Sequence, residues 1–195
     1  VITLIWAIRY SLTLFRPQKE KVMKNLKLKS CEGKNDFLIF GSPAVEEDEI
    51  EEVVATIRSG WLGTGPKVDK FESMFKEYIG AKYAMALNSC TAGLHLSMLV
   101  AGVKPGDEVI TTPMTFCATA NTILHAGAKP VFVDVDRRTM NIDPNLIEQA
   151  ITSRTRAIAP VHMAGRPCEM DSIMDIAQRH GLAVIEDAAH CVEGV

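Results

Sequence analysis

Four short segments follow apolar runs in this chain, and each carries residue types suited to holding a ligand. Asn88-Ser89-Cys90-Thr91-Ala92-Gly93 comes directly after Tyr83–Leu87 and opens a helical stretch. Its small side chains let the backbone approach an anion closely. The N–H groups and dipole at a helix N-terminus favour negative charge, and Ser89 and Thr91 add hydroxyl donors. The same residues also read as an ordinary N-cap. Neither G-x-x-x-x-G-K-[ST] nor G-x-G-x-x-G occurs, so this is not a P-loop or a dinucleotide fingerprint. Phe116 follows the turn Thr111-Thr112-Pro113-Met114-Thr115, where its ring could stack on a flat ligand or pack in the core. Asp187 ends the apolar run Leu182–Ile185, where a charge is costly unless paired. A protonated ring nitrogen of a ligand would supply that partner, and the carboxylate would raise the pKa of the nitrogen. A helix cap or a metal ligand is the alternative reading. His190, three residues on, can reach the same ligand. His162, after Pro160-Val161, suits a pocket and a structural role equally.

The elements that must position these residues follow from periodicity. Asp48–Arg58 repeats Ile50, Val53, Val54 and Ile57 at helical spacing before Gly60, and Glu46-Glu47-Asp48-Glu49 is a solvated start that suits the helix dipole. Lys67–Ile79 places Val68, Phe71, Phe75 and Tyr78 on one face, with Gly80 at its C′ position. Strands are predicted at Tyr83–Leu87, Glu108–Thr111, Pro130–Asp134, Ala157–Val161 and Leu182–Glu186. Helices are predicted between them at Thr91–Ala101, Phe116–Ala126, Pro144–Ile151 and Met170–His180, with Asp143 as an N-cap. This alternation predicts an α/β fold, a largely parallel sheet with helices on both faces. Continuous apolar strands such as Val131-Phe132-Val133 fit burial on both sides. In such sheets ligands bind beyond the carboxyl ends of the strands, which gathers the four segments at one rim. His95 is expected to be packed or at the surface, and His125 and His180 to favour helix C-termini.

Composition narrows the class. The chain has 195 residues, 47% of them hydrophobic, enough for one domain with a real core. With 21 basic and 24 acidic residues the net charge is −3, which supports neither nucleic-acid binding nor attraction to a membrane through a basic surface. Cys31, Cys90, Cys117, Cys168 and Cys191 are scattered without a C-x-x-C pair, as expected of reduced cytosolic thiols and not of a zinc site. Val1–Phe15 is apolar around Arg9, too short to span a bilayer and without the features of a signal peptide. Order is expected from about Phe37, which leaves residues 1–36 as an irregular extension. Met23 is a candidate start that would make residues 1–22 foreign to the native protein; an interfacial anchor is the other reading. Val1 in place of Met, and a last segment that stops just after a strand, predict a partial sequence.

Taken in order and spacing, the motifs resemble the DegT-type sugar aminotransferases, pyridoxal-phosphate enzymes of the aspartate-aminotransferase fold. The segments that carry the resemblance are Ser59-Gly60-Trp61-Leu62-Gly63-Thr64-Gly65-Pro66-Lys67-Val68, Asn88–Leu94, Gly106–Ile110 with Pro113–Phe116, Gly127–Asp136, Pro160–His162 and Val184–His190. The resemblance covers about Phe40 to Val195. It implies that residues 37–195 are a partial cofactor-binding large domain, without its C-terminal part and small domain. It implies that Thr91 and Ala92 bind the cofactor phosphate through backbone N–H groups, that Phe116 stacks on the pyridine ring, that Asp187 pairs with the ring nitrogen and that His190 lies near the ring hydroxyl. The family's Schiff-base lysine is expected beyond Val195, so no catalytic residue is assigned within this chain and these residues alone are expected to be inactive. No metal is implied. The activity implied is amino transfer from an amino acid, glutamate, to a nucleotide-linked keto-sugar, in a cytoplasmic homodimer that binds neither nucleic acid nor membrane. A sugar dehydratase of the same family, with histidine in place of the lysine, and a non-catalytic relative are the alternatives.

Overall fold

The computed structural model describes residues 2–4 and 45–192. The chain divides into two contact units, residues 9–67 and residues 1–8 together with 68–195. Apart from residues 2–4, the N-terminal extension expected over 1–36 lies outside the described residues.

In the shorter unit, α1 (Glu47–Ser59) starts with a reciprocal capping box between Glu46 and Glu49 and ends at Gly60, whose φ of 71° is the left-handed cap that favours glycine. The turn that follows is closed by Trp61 Nε1, which donates to the Thr64 carbonyl at 2.9 Å. The Lys67 ammonium pairs with the Glu52 carboxylate. α2 (Pro66–Ile79) opens on proline, which has no N–H to leave unsatisfied at a first helical position, and from Val68 onward it is counted in the larger unit.

In the larger unit, β1 (Ile2–Leu4) pairs antiparallel with β2 (Met85–Leu87). α3 (Cys90–Val100), β3 (Glu108–Thr111), α4 (Cys117–His125) and β4 (Lys129–Phe132) follow. α5 (Pro144–Ile147) tightens into a single 3-10 turn over Glu148–Ala150, where one longer helix was expected, and Asp143 caps its start. β5 (Thr155–Ile158), α6 (Met170–His180) and β6 (Ala183–Val184) complete the described elements. The parallel sheet has the order β4-β3-β5-β6. β2 is not one of its strands and pairs with β1 instead. Met85 of β2 is exposed and the Ala86 N–H is taken by the Glu72 carboxylate at 2.7 Å, so this segment lacks the two-sided burial of the parallel strands.

Side chains alternate across the sheet as strand geometry requires. Val109, Ala157 and Ile185 pack with Leu94 and Met98 of α3 and Ile123 of α4. Ile110 and Ile158, one residue on, pack with Ile147 of α5 and with Ile173, Ile176 and Ala177 of α6 on the opposite face. The ladder between β5 and β6 is interrupted after Ile158–Val184 and resumes as a single bridge between Val161 and Asp187. Pro160, between them, has no N–H to contribute, but its carbonyl accepts the Asp187 N–H at 2.9 Å. Extended backbone therefore reaches the rim even where regular strand ends early. At the amino end of the sheet, Glu108 is buried and held by Thr152 Oγ1 at 2.6 Å and Arg154 Nη2 at 2.7 Å. These two donors keep its carboxyl below the usual glutamate value.

Candidate active site

Three chain segments meet at the carboxyl rim. The first is the start of α3. Ser89 is its N-cap, and the Ser89 hydroxyl oxygen accepts the Ala92 N–H at 3.1 Å. The ordinary-cap reading of this segment thus holds, and an anion bound here shares that first turn with Ser89. Thr91 is exposed and Ala92 half-buried. The second is the start of α4, where Phe116 occupies the N-cap position without a side-chain cap. Its ring is 76% exposed, which removes the core-packing alternative. The third is the segment after β6, which carries Glu186, Asp187 and His190; the last of these is exposed.

Asp187 joins the three. It is 6% exposed. The hydroxyl of Thr119, in the first turn of α4, donates to its Oδ2 at 2.7 Å. The Cys90 thiol, at the start of α3, donates to Oδ1 at 3.8 Å, and the Ala189 N–H donates to the same oxygen at 3.3 Å. Burial and the adjacent carboxylate push the Cys90 thiol up to about 11, so it stays protonated and acts as a donor. Among the described residues Asp187 forms no ion pair with lysine, arginine or histidine. Neutral donors ease the burial of a carboxylate but leave its charge uncompensated. The arrangement therefore suits a cation brought by a ligand. A hydroxyl, a thiol and an amide are not the carboxylate and imidazole companions of a typical metal ligand set.

Glu186 faces the other way. Its Oε2 lies 2.9 Å from Nε2 of His162, a residue 5% exposed. The His162 Nδ1 accepts the Cys168 N–H at 3.1 Å, which makes Nε2 the protonated nitrogen that donates to Glu186. His162 is thus a tie between the β5 and β6 ends. Below it, the buried Asn141 amide clamps the next loop: Nδ2 donates to the Arg166 and Pro167 carbonyls at 3.0 and 2.9 Å, and Oδ1 accepts the Met163 N–H at 2.9 Å. The clamp holds Ala164 at a φ of 51° and Gly165 at 84°. His95 and His125 stack edge to face with ring centroids 5.8 Å apart, and His180 at the end of α6 meets Glu148.

Thr91, Ala92, Phe116 and Asp187 are the expected site residues that sit on these converging segments, with His190 on the loop that follows. Sequence reasoning missed Thr119, Cys90 and Asn141 as partners. The only signal for Thr119 was a polar residue one turn into a helix that starts at the rim.

An α/β unit with a parallel sheet of this form matches solved structures of aminotransferases of the pyridoxal-phosphate fold. The chain belongs to the DegT/DnrJ/EryC1/StrS aminotransferase family, which it matches over residues 43–194. It is 55% identical over 159 residues to the spore coat polysaccharide biosynthesis protein SpsC of Bacillus subtilis, a match that covers 82% of this chain and 41% of SpsC. Among solved structures it resembles NtdA of Bacillus subtilis with bound PMP, at a TM-score of 0.76 and 35% identity over 84% of this chain and 40% of that one. It also resembles Spr1654 of Streptococcus pneumoniae, described as a sugar aminotransferase, in its PMP form, with a TM-score of 0.76, 38% identity and coverage of 80% and 43%. The chain thus spans about two fifths of the length of SpsC. No helix among the described residues is long and apolar enough to cross a membrane.

Proposed function

We propose that these residues form the cofactor half of a pyridoxal-phosphate transaminase that moves the amino group of glutamate onto a keto group of a nucleotide-linked sugar. The observation that carries this reading is Asp187, a buried carboxylate with neutral donors on both oxygens and no cationic partner among the described residues. A pyridinium nitrogen has the missing charge, and a carboxylate beside it keeps it protonated. The donor set thus fits the cofactor. When bound, pyridoxal phosphate supplies an electron sink and carries the amino group.

The chain's own residues divide the work of holding it. Thr91 and Ala92 offer backbone N–H groups and the positive end of the α3 dipole to the phosphate. Phe116 presents an exposed ring at the mouth of α4 for stacking on the pyridine face. Asp187 takes the ring nitrogen, and His190 stands beside the ring hydroxyl. The nucleophilic lysine belongs, on this reading, to the sequence that follows Val195, together with the small domain and the second subunit of a homodimer. The 195 residues alone then lack transaminase activity.

The test is direct. The protein is produced at the length of its relatives, loaded with pyridoxal phosphate and given glutamate with a nucleotide-linked keto-sugar. The expected result is stoichiometric formation of 2-oxoglutarate and aminated sugar, with borohydride trapping the cofactor on one lysine beyond Val195. Loss of water from the sugar without amino gain selects the dehydratase instead. Failure to bind the cofactor at all refutes the reading.

A further inference from the structure

We propose that Thr119 is a positioning residue, whose hydroxyl fixes the Asp187 carboxylate in the orientation that meets the ring nitrogen of the cofactor. This rests on the assignment of Asp187 to the ring nitrogen made above.

The geometry points to Thr119 through its single proton. Three oxygens lie within reach of its hydroxyl: Asp187 Oδ2 at 2.7 Å, Thr115 Oγ1 at 2.7 Å and the Phe116 carbonyl at 3.2 Å. A threonine near a helix start ordinarily bonds back to its own helix. Here the ionised carboxylate is both closer than the carbonyl and the stronger acceptor, so the proton goes to Asp187. Thr115 then donates to Thr119, and the two hydroxyls form a short relay that ends on the carboxylate. Thr119 is fully buried and β-branched, so its χ1 is stiff and the hydroxyl is held in one place.

The other carboxylate oxygen is held less firmly. The Cys90 thiol at 3.8 Å is a weak, long-range donor, and the Ala189 N–H at 3.3 Å is beyond the usual N–H···O distance. Thr119 is therefore the firmest constraint on where Asp187 points. Without it, Asp187 is freer to rotate, the ring nitrogen loses a fixed carboxylate partner, and the proton is lost from the nitrogen at lower pH.

The experiment uses the protein at the length of its relatives, loaded with pyridoxal phosphate labelled with 15N in the ring. The 15N chemical shift is followed against pH for the wild type, Asp187→Asn, Thr119→Val and Thr119→Ser. Asp187→Asn is expected to lose the protonated nitrogen, which checks the underlying assignment. Thr119→Val keeps the shape of the side chain without its hydroxyl. Its midpoint for deprotonation is expected about one pH unit below that of the wild type, a tenfold change in proton affinity. Thr119→Ser restores the hydroxyl and is expected to titrate with the wild type. If Asp187→Asn shifts and Thr119→Val does not, the Thr119 proposal is overturned and the cofactor reading stands. If Asp187→Asn titrates like the wild type, the assignment of Asp187 fails and Thr119 falls with it. Should Thr119→Val not fold, Thr119→Cys replaces it: a shift in the same direction supports the proposal, and a wild-type titration overturns it.

Discussion

Gly165 and His190 meet backbone to backbone: a Cβ built on Gly165 would stand 2.9 Å from the His190 carbonyl oxygen, and Gly165 has a φ of 84°. Both the space and the dihedral exclude a side chain, so the loop after β5 and the loop after β6 close on each other only through glycine. Gly165→Ala is expected to destabilise the protein by about 2–4 kcal/mol, since strain and clash add. Gly102 has a φ of 75° with nothing near its Cβ position, so Gly102→Ala is expected to cost only about 1 kcal/mol. Urea unfolding of the two variants separates the contributions. Equal losses would show that the His190 contact is relieved by small shifts.

The pH dependence of stability is carried in part by Glu108. Its carboxyl is held below the ordinary glutamate value of 4.5, first by the Thr152 hydroxyl and then by Arg154. A depressed folded-state pKa means that the unfolded chain binds the proton more readily. The contribution is therefore complete above pH 4.5 and lost as pH falls below it, through the folded-state value. Glu108→Gln is expected to be less stable than the wild type at pH 7, with the difference narrowing steadily below about pH 4.5. Denaturant midpoints at pH 7, 5, 4 and 3 check this; a constant gap would assign the loss to packing.

Thiol reactivity should rank by environment. Cys117 is exposed at the start of α4. Burial and nearby carboxylates push Cys90 up to about 11 and Cys168 up to about 12. Because the thiolate is the nucleophile, iodoacetamide at pH 8 is expected to alkylate Cys117 first among the cysteines of the described residues. Cys90 should follow at least about a hundredfold more slowly. Peptide mass mapping over time reads the order. Early labelling of Cys90 would show that its contact with Asp187 is not maintained in solution.

Asp187→Asn and Thr91→Val should fail in different ways in the protein at the length of its relatives. The asparagine keeps the shape and removes the charge, so turnover is expected to fall by about tenfold or more while the cofactor stays bound. Thr91→Val leaves the backbone N–H groups of the α3 start in place and should weaken cofactor retention only mildly, with turnover preserved when cofactor is supplied. Occupancy by absorbance and turnover with glutamate and a keto-sugar nucleotide distinguish them. Near-normal turnover in Asp187→Asn would reduce the aspartate to a structural cap.

Much of this was legible in the chain because burial and periodicity are local signals. The run Met170–His180 before Gly181 gave α6 to the residue, since an amphipathic repeat and a glycine stop coincide there. Asp187 stood out because an acidic residue at the end of an apolar strand calls for a partner. Its actual partners did not stand out. Thr119 is 68 residues away in sequence, and a threonine in a helix carries no mark of the carboxylate it will meet. The role of Asn141 was hidden for the same reason: its three bonds reach backbone atoms 22 to 26 residues on. Tyr83–Leu87 reads as a strand and forms one over Met85–Leu87, but its sheet was not legible, because a short apolar run looks the same whether it pairs in the parallel sheet or outside it.

Glu186 and Asp187 bond to opposite sides of the sheet end, one toward His162 and the other toward Thr119. Alternation fixes this, and alternation counts residues by twos. A single insertion or deletion between Leu182 and Asp187 would present the longer carboxylate to Thr119 and turn the shorter one toward His162, without changing any residue type. A difference of two residues restores the faces but moves both carboxylates about 7 Å along the strand, out of reach of Thr119 and His162. Grafting the end of β6 between relatives should therefore succeed only when the segments are equal in length.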